Sequence, residues 1–278
     1  MAILQLNRIE TNTKVDVLVE DQAGSIFPDR IKMEGVWIDA FDTKQQFFKR
    51  LLYEAKKSEK SLFAGSNIHN MNMIYKHPRL KLILGKADVF YCDGAGIVVA
   101  SKILGEKSIR KRFANGDWLF ELFDYLCDHQ CTIYYLGGEP GIVEKGIELY
   151  RQRRSEHSII GYHHGFILND PFLERQVIDH INQVRPDILF VGMGCPLQEF
   201  WIDDHKDELN VGLFYPIGAS MDYLVGKVPR CPIWLGDIGL EWLFRLSLEP
   251  RRLFHRYMVG NPWFLSRITI QAIKKFLF

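Results

Sequence analysis

Asp93, Gln198 and Glu199 each stand just beyond an apolar run that stops abruptly. Tyr91-Cys92-Asp93-Gly94 ends one such run, Asp88 to Cys92. Val191-Gly192-Met193-Gly194-Cys195-Pro196-Leu197-Gln198-Glu199 contains the end of the other, Ile188 to Met193. Neither run is periodic, and a helical pattern follows each. Runs of this length bounded by Gly and Pro suit strands buried on both faces of a parallel sheet. In open α/β sheets, ligands bind in the crevice beyond the carboxyl ends of such strands. A carboxylate there, Asp93, either takes a proton from a bound substrate or caps the helix that follows.

Other groups carry weaker signals. Gly137-Gly138-Glu139-Pro140-Gly141 lies between a strand and a helix, as a phosphate-binding turn does, because glycines allow close approach and a helix amino terminus attracts anions. It is not G-x-G-x-x-G, and a plain tight turn fits equally well. Arg112, just upstream of Asn115-Gly116-Asp117, either clamps a phosphate or belongs to a solvated basic loop. His163-His164 reads as a surface turn closed by Gly165. The chain has no D-x-D, so no metal bridging nucleotide phosphates is expected. Its five cysteines form no C-x-x-C pair and have no metal-ligand spacing.

The elements that must position these residues alternate. Apolar segments at Val36–Ile38 and Leu62–Ala64 flank a helical pattern over 43–57, and Asp88 to Cys92 leads into a helix over 95–104. Helices are predicted over 118–127, from Gly141 to about Arg154, and over 172–184. Strands are predicted at 132–136, 159–160, 188–193 and 213–217. This alternation implies right-handed crossovers and a Rossmann-like, doubly wound, mostly parallel α/β sheet. Residues 1–33 lack strong periodicity and read as an irregular amino-terminal arm. Residues 34–228 read as the α/β catalytic domain, and 229–278, helices only, as a basic and aromatic carboxyl-terminal appendage.

Composition bounds the function. With 278 residues and 47% hydrophobic content, the chain can bury a large core. Lys+Arg 35 against Asp+Glu 34 makes no case for nucleic acid. The basic residues gather late, with seven Lys/Arg against two Asp/Glu from Glu241 onward. Asn7, Arg8 and Glu10 stand where an export signal would be apolar. No run approaches the roughly 18 apolar residues of a membrane span. A cytoplasmic protein is expected.

Together these residues resemble the WecG/TagA/CpsF glycosyltransferase family (glycosyltransferase family 26), from about Gly35 to Arg256. The resemblance is carried in order by Asn67; Asp93-Gly94 with Gly96; Arg112 with Gly116-Asp117; Leu136-Gly137-Gly138 with Gly141; Gly161 and Gly165; Gly192-Met193-Gly194 with Pro196 and Gln198-Glu199; Gly218 with Asp222; Gly226 with Arg230 and Pro232; and Glu241-Trp242 with Arg245, Glu249-Pro250 and Arg252. Gly65 departs from the family's frequent Thr, and Cys195 and Cys231 replace residues more usually small and non-thiol.

The resemblance implies inverting transfer of a hexosyl or N-acetylhexosaminyl group from a UDP-sugar to an undecaprenyl-diphosphate-linked saccharide, in bacterial surface polysaccharide synthesis at the inner membrane face. No cofactor is implied beyond the donor. Asp93 is then the base, and Arg112, Arg245, Arg251, Arg252 and Arg256 answer the leaving diphosphate. Gln198 positions a sugar hydroxyl and Asp222 the ribose. Asn67, Gly94, Asp117, Gly137, Gly138, Glu199 and Arg230 join the expected substrate-binding set. The apolar run Trp234 to Leu248 is expected to dock on the core or on another copy, leaving a homo-oligomer open. Arg251 to Phe278 is expected on the anionic membrane surface, so that cutting the chain before Arg256 would leave a folded protein. The alternatives are a nucleotide-dependent oxidoreductase, which needs the missing fingerprint, and a noncatalytic nucleotide-binding protein.

Overall fold

The computed structural model describes residues 25–106 and 109–277. Eight strands form one sheet: β1 Asp29–Met33, β2 Val36–Ala40, β3 Ser61–Ser66, β4 Val89–Cys92, β5 Ile133–Gly137, β6 Ile159–His163, β7 Ile188–Gly192 and β8 Leu213–Pro216. Their spatial order is β1-β2-β4-β3-β8-β7-β5-β6, and every pairing is parallel except β1 with β2.

The continuous apolar runs follow from burial on both faces. In β4, Val89 and Tyr91 enter one core cluster while Phe90 and Cys92 enter another. In β7, Ile188 and Phe190 face the first cluster and Leu189 and Val191 a third. Helices cover both sides, as a doubly wound sheet requires. After β3 the chain turns outward to β4, then crosses to β5 and β6 and returns through β7 to β8. The carboxyl ends of β3 and β8 therefore part at the topological switch point, where a crevice opens.

The expected irregular arm over 1–33 meets a strand at Asp29–Met33; residues 1–24 lie outside the described residues. Ile31 and Met33 are buried while Arg30 and Lys32 point outward, and Glu34-Gly35 closes the hairpin with both residues at positive φ (50° and 88°). Two central residues at positive φ match the right-handed twist of a hairpin. Between β3 and β4 stand two helices that the apolar pattern does not announce, Ile68–Lys76 and Pro78–Gly85. Asn67 caps the first by accepting from the Asn70 N–H, and Pro78 opens the second, where its missing N–H costs nothing.

From Ile233 onward only helices follow: Ile233–Asp237, Glu241–Leu248, Pro250–Phe254, a wider turn over His255–Val259, and Gly260–Leu277. Their packing divides the appendage differently from the sequence expectation, although Phe254, Ile270, Ile273 and Phe276 in its later part stay exposed. The last helix docks on the α/β core through Phe264 and Ile268, both 0% exposed and in one cluster with Met71, Phe90 and Ile97. Arg267 fastens the same face to Glu34 and Asn72. Ile233 and Trp234, each 65% exposed, stand outward with Ile238, Leu243 and Leu248. A chain cut before Arg256 would bare the surface under Phe264, so that segment is part of the core's closure.

Phe264→Ala is predicted to lower unfolding free energy by about 3–5 kcal/mol through lost burial and a cavity, read as a lower urea midpoint. A midpoint unchanged from wild type would mean that the last helix does not close this core.

Candidate active site

The crevice at the strand ends has a volume of about 800 Å³. Its floor is built where β3 and β4 end together. Ser66 pairs in register with Cys92, and the Asp93 and Gly94 amides both donate to the Ser66 carbonyl at 2.9 and 3.1 Å. Gly94 permits this approach, because a Cβ there would stand 2.8 Å from the Asn67 Cβ. Gly94, not Asp93, is the cap position of helix Ala95–Ile103, so the Asp93 carboxylate is not consumed as a cap. It accepts from Asn67 Nδ2 at 3.2 Å, while Asn67 Oδ1 caps its own helix. Burial raises the Asp93 carboxyl to about 6, with Glu241 adding to the rise and Asn67, Arg112 and Arg230 opposing it. A half-buried carboxylate poised near neutrality suits a general base.

Below Asp93 lies a buried polar triad. Tyr215 donates to Asn115 Oδ1 at 2.6 Å and Tyr91 to the same oxygen at 2.9 Å, with the two hydroxyls 2.9 Å apart. This triad accounts for Gly65: a Cβ there would come within 2.9 Å of the Tyr91 hydroxyl and 3.0 Å of the Asp93 Cβ. Tyr91 occupies the space that a larger residue 65 would need.

Gln198 is buried, and its side chain is committed to the frame. Its carbonyl oxygen accepts the Gly194 amide at 3.0 Å and the Gly218 amide at 3.1 Å, tying the loops after β7 and β8 together. Its amide donates to Glu199 at 2.8 Å. Glu199 lies beneath the crevice wall, and burial holds its carboxyl above the usual range. One of its oxygens has no partner among the described residues.

Arg112 does not reach open space. Its guanidinium pairs with Glu241 at 2.9 Å and Asp117 at 3.4 Å, packed so closely on Gly236 that a Cβ there would clash at 2.1 Å. Arg230 answers the same two carboxylates, donating to Asp117 from Nε at 2.8 Å. Two cations and two carboxylates cancel, and the quartet joins the loop after β4 to the appendage. Arg252 is held by Glu249.

Arg245 and Arg256 differ. Both line the crevice, neither has an ion-pair partner among the described residues, and the Nε atoms of both are buried without an acceptor. Tyr223 and Tyr257 supply ring faces at 5.6 Å. Burial lowers the Arg256 pKa, and Arg245 and Arg252 act in the same direction. Such a pair is prepared for an anion. His69, absent from the sequence-derived set, also lines the crevice, because the helix that carries it is not periodic enough to read.

Other expected residues stand apart. Gly137 and Gly138 do not line the crevice. A Cβ on Gly137 would meet the Gly192 backbone at 2.5 Å, the Gly138 amide donates to the Gly192 carbonyl, and the Gly141 amide is taken by Glu144. This is the tight-turn reading, with its donors used internally. Asp222 also lies outside the crevice, 3.4 Å from Lys227, which pairs in turn with Glu139. Among the described residues no three His, Cys, Asp or Glu side chains converge as metal ligands.

A doubly wound sheet with a carboxylate at one strand end, and arginines without an ion-pair partner among the described residues in the same crevice, is a frame suited to group transfer. The description "Glycosyl transferase WecG/TagA/CpsF family" matches residues 31–276, so the chain belongs to that family and is a glycosyltransferase. It is 29% identical over 193 residues, 69% of the chain, to an N-acetylglucosaminyldiphosphoundecaprenol N-acetyl-beta-D-mannosaminyltransferase of Bacillus spizizenii, covering 72% of that relative. A Staphylococcus aureus protein of the same name is 25% identical over 241 residues, 86% of this chain and 92% of its own length. The oxidoreductase and noncatalytic alternatives are thereby set aside.

Gly65→Ala is predicted to cost about 1–3 kcal/mol by overpacking and to displace Asp93, lowering transfer more than tenfold. A variant with wild-type melting temperature and turnover would show that Tyr91 does not fill this space.

Proposed function

We propose that the enzyme transfers a hexosyl or N-acetylhexosaminyl group from a UDP-sugar to an undecaprenyl-diphosphate-linked saccharide, with inversion, in synthesis of a bacterial surface polysaccharide. The observation that carries this is the pairing, in one crevice, of a carboxylate raised to about 6 with two arginines that have no ion-pair partner among the described residues and whose Nε atoms are buried. The names of the relatives, which act on a diphosphoundecaprenol-linked acceptor, support the acceptor class.

The chemistry is a single displacement. Asp93 takes the proton of the acceptor hydroxyl as its oxygen bonds to the anomeric carbon. The bond from that carbon to the diphosphate breaks on the opposite face, which inverts the configuration. Arg245 and Arg256 stabilise the charge on the departing diphosphate. Asn67 orients the base, and Gln198 holds the two loops that form the wall. Arg112, Asp117 and Arg230 act at one remove by fixing the appendage over the crevice. With the positive charge supplied by arginine, activity is expected to survive EDTA. Loss restored by Mg²⁺ would assign that charge to a metal instead.

Asp93→Asn is predicted to lower turnover by about 10²- to 10⁴-fold while UDP binding persists. Wild-type turnover falls as pH drops through about 6, because a protonated carboxyl takes no proton. Burial disfavours the charged form, a penalty present above the raised pKa and lost as pH falls through it. The Asn variant is therefore more stable than wild type at high pH, and the gap closes in acid. Near-normal turnover in the variant, followed by mass spectrometry of a polyprenyl-diphosphate acceptor, would remove the assignment.

The acceptor's lipid calls for membrane contact, and no helix among the described residues is long and apolar enough to cross a bilayer. Ile233, Trp234, Ile238, Leu243 and Leu248 are exposed on the appendage beside Arg251 and Phe254, a composition suited to an anionic interface. The enzyme then works peripherally, on the cytoplasmic membrane face. Ile233→Ser with Trp234→Ser is predicted to weaken flotation with anionic liposomes several-fold without unfolding the protein. Undiminished flotation would place the contact elsewhere.

A further inference from the structure

His69 sits in the first turn of helix Ile68–Lys76 and lines the crevice. Asn72, three residues on, shares its helical face and fixes what that face meets. Asn72 Nδ2 donates to the Gly260 carbonyl at 2.9 Å, and its Oδ1 accepts from Arg267 at 3.0 Å. Arg256 precedes Gly260 by about one turn, so the line of contact that joins Asn72 to Gly260 carries His69 toward Arg256. Cys195, in the loop after β7, lines the same crevice. His69 therefore stands where the helix after β3, the loop after β7 and the appendage meet. The charged and titratable groups around it are Lys76 on its own helix, Arg245 and Arg256 on the appendage, Cys195 on the loop and Asp93 along the crevice floor, with Arg230, Glu241 and Arg252 lining the same crevice.

We infer that His69 is a further residue of the diphosphate site, which takes up a proton as the anion binds and then donates a hydrogen bond to the leaving diphosphate. This rests on reading the crevice as a nucleoside-diphosphate site. In the free protein, burial first and the Arg256 charge next push His69 down to about 4, so the ring is neutral at pH 7. The arginines that disfavour its proton are the two that lack an anion. A diphosphate seated on them reverses the sign of the local field. A unit charge at close range in a partly desolvated site moves a pKa by about two units or more, enough to bring His69 into the neutral range.

The proton balance closes. The anomeric carbon–oxygen bond breaks with its electron pair on the diphosphate oxygen, the acceptor oxygen bonds to the anomeric carbon, and the acceptor proton goes to Asp93. The His69 proton arrives from solvent with the diphosphate and leaves with UDP.

The test is a histidine-ring NMR titration of the full chain with and without saturating UDP. It is paired with UDP calorimetry at about pH 6.5, in buffers of different ionisation heat, for wild type and His69→Gln. The His69 resonance is expected to titrate near 4 in the free protein and about two units or more higher with UDP. Wild type should take up more protons on binding than the variant, a difference from which the titrations of UDP and Asp93 cancel. His69→Gln should lower kcat at least fivefold and leave the donor KM nearly unchanged. UDP binding with an unmoved His69 resonance and equal proton uptake would overturn the inference while leaving the nucleotide site standing. If wild type bound no UDP, both readings would fall together.

Discussion

Two half-buried arginines without an ion-pair partner among the described residues, each with a buried Nε that finds no acceptor, constrain the rest of this structure. Burying a cation unpaired is costly, and proteins usually neutralise it with an ion pair. Here Glu249 is occupied by Arg252, and the Nε atoms of Arg245 and Arg256 find no acceptor among the described residues. The tyrosine faces of Tyr223 and Tyr257 soften this arrangement without cancelling the charge. What remains is a site whose electrostatics are complete only when an anion occupies it. Preorganised charge of this kind needs no reorganisation when negative charge develops on a leaving group.

The fold maintains that arrangement from two sides. The sheet ends β3 and β4 together, so Asp93 meets Asn67 on one side of the switch point. The appendage brings the arginines from far along the chain, anchored below by Phe264 and Ile268 and braced above by the quartet of Arg112, Asp117, Arg230 and Glu241. Each carboxylate of the quartet meets both arginines, so the brace is neutral and leaves the crevice field to Arg245 and Arg256. Asp93 and the crevice arginines thus belong to different halves of the sequence, and the proposed transfer site exists only where the two meet.

Much of this was legible in the amino-acid order. Strands with buried faces read as short apolar runs, so seven of the eight strands were legible, and the strand-end rule put Asp93 and Gln198 beside the crevice. The edge strand Asp29–Met33 was missed because its signal is a five-residue alternation with only two buried positions. The Asn67 cap and Pro78 were the available signs of the two helices between β3 and β4. The surroundings of Arg112 and Asp117 were not legible, since Glu241, the carboxylate that Arg112 meets, lies 129 residues away. Gly137 and Gly138 show the same limit: glycine spacing announces a close approach, but only the fold reveals that the approaching group is the Gly192 backbone. Which apolar stretch of the appendage is buried depends on what each faces, and composition carries no such information.

The central claim is that Arg245 and Arg256 form a diphosphate site. UDP binding measured by calorimetry across a salt series, in wild type and in Arg256→Gln, tests it most directly. The account predicts affinity that falls with ionic strength and drops at least tenfold in the variant, since a charge-assisted bond is removed from a desolvated site. Equal affinity in the two proteins would contradict it and leave the two arginines without a function.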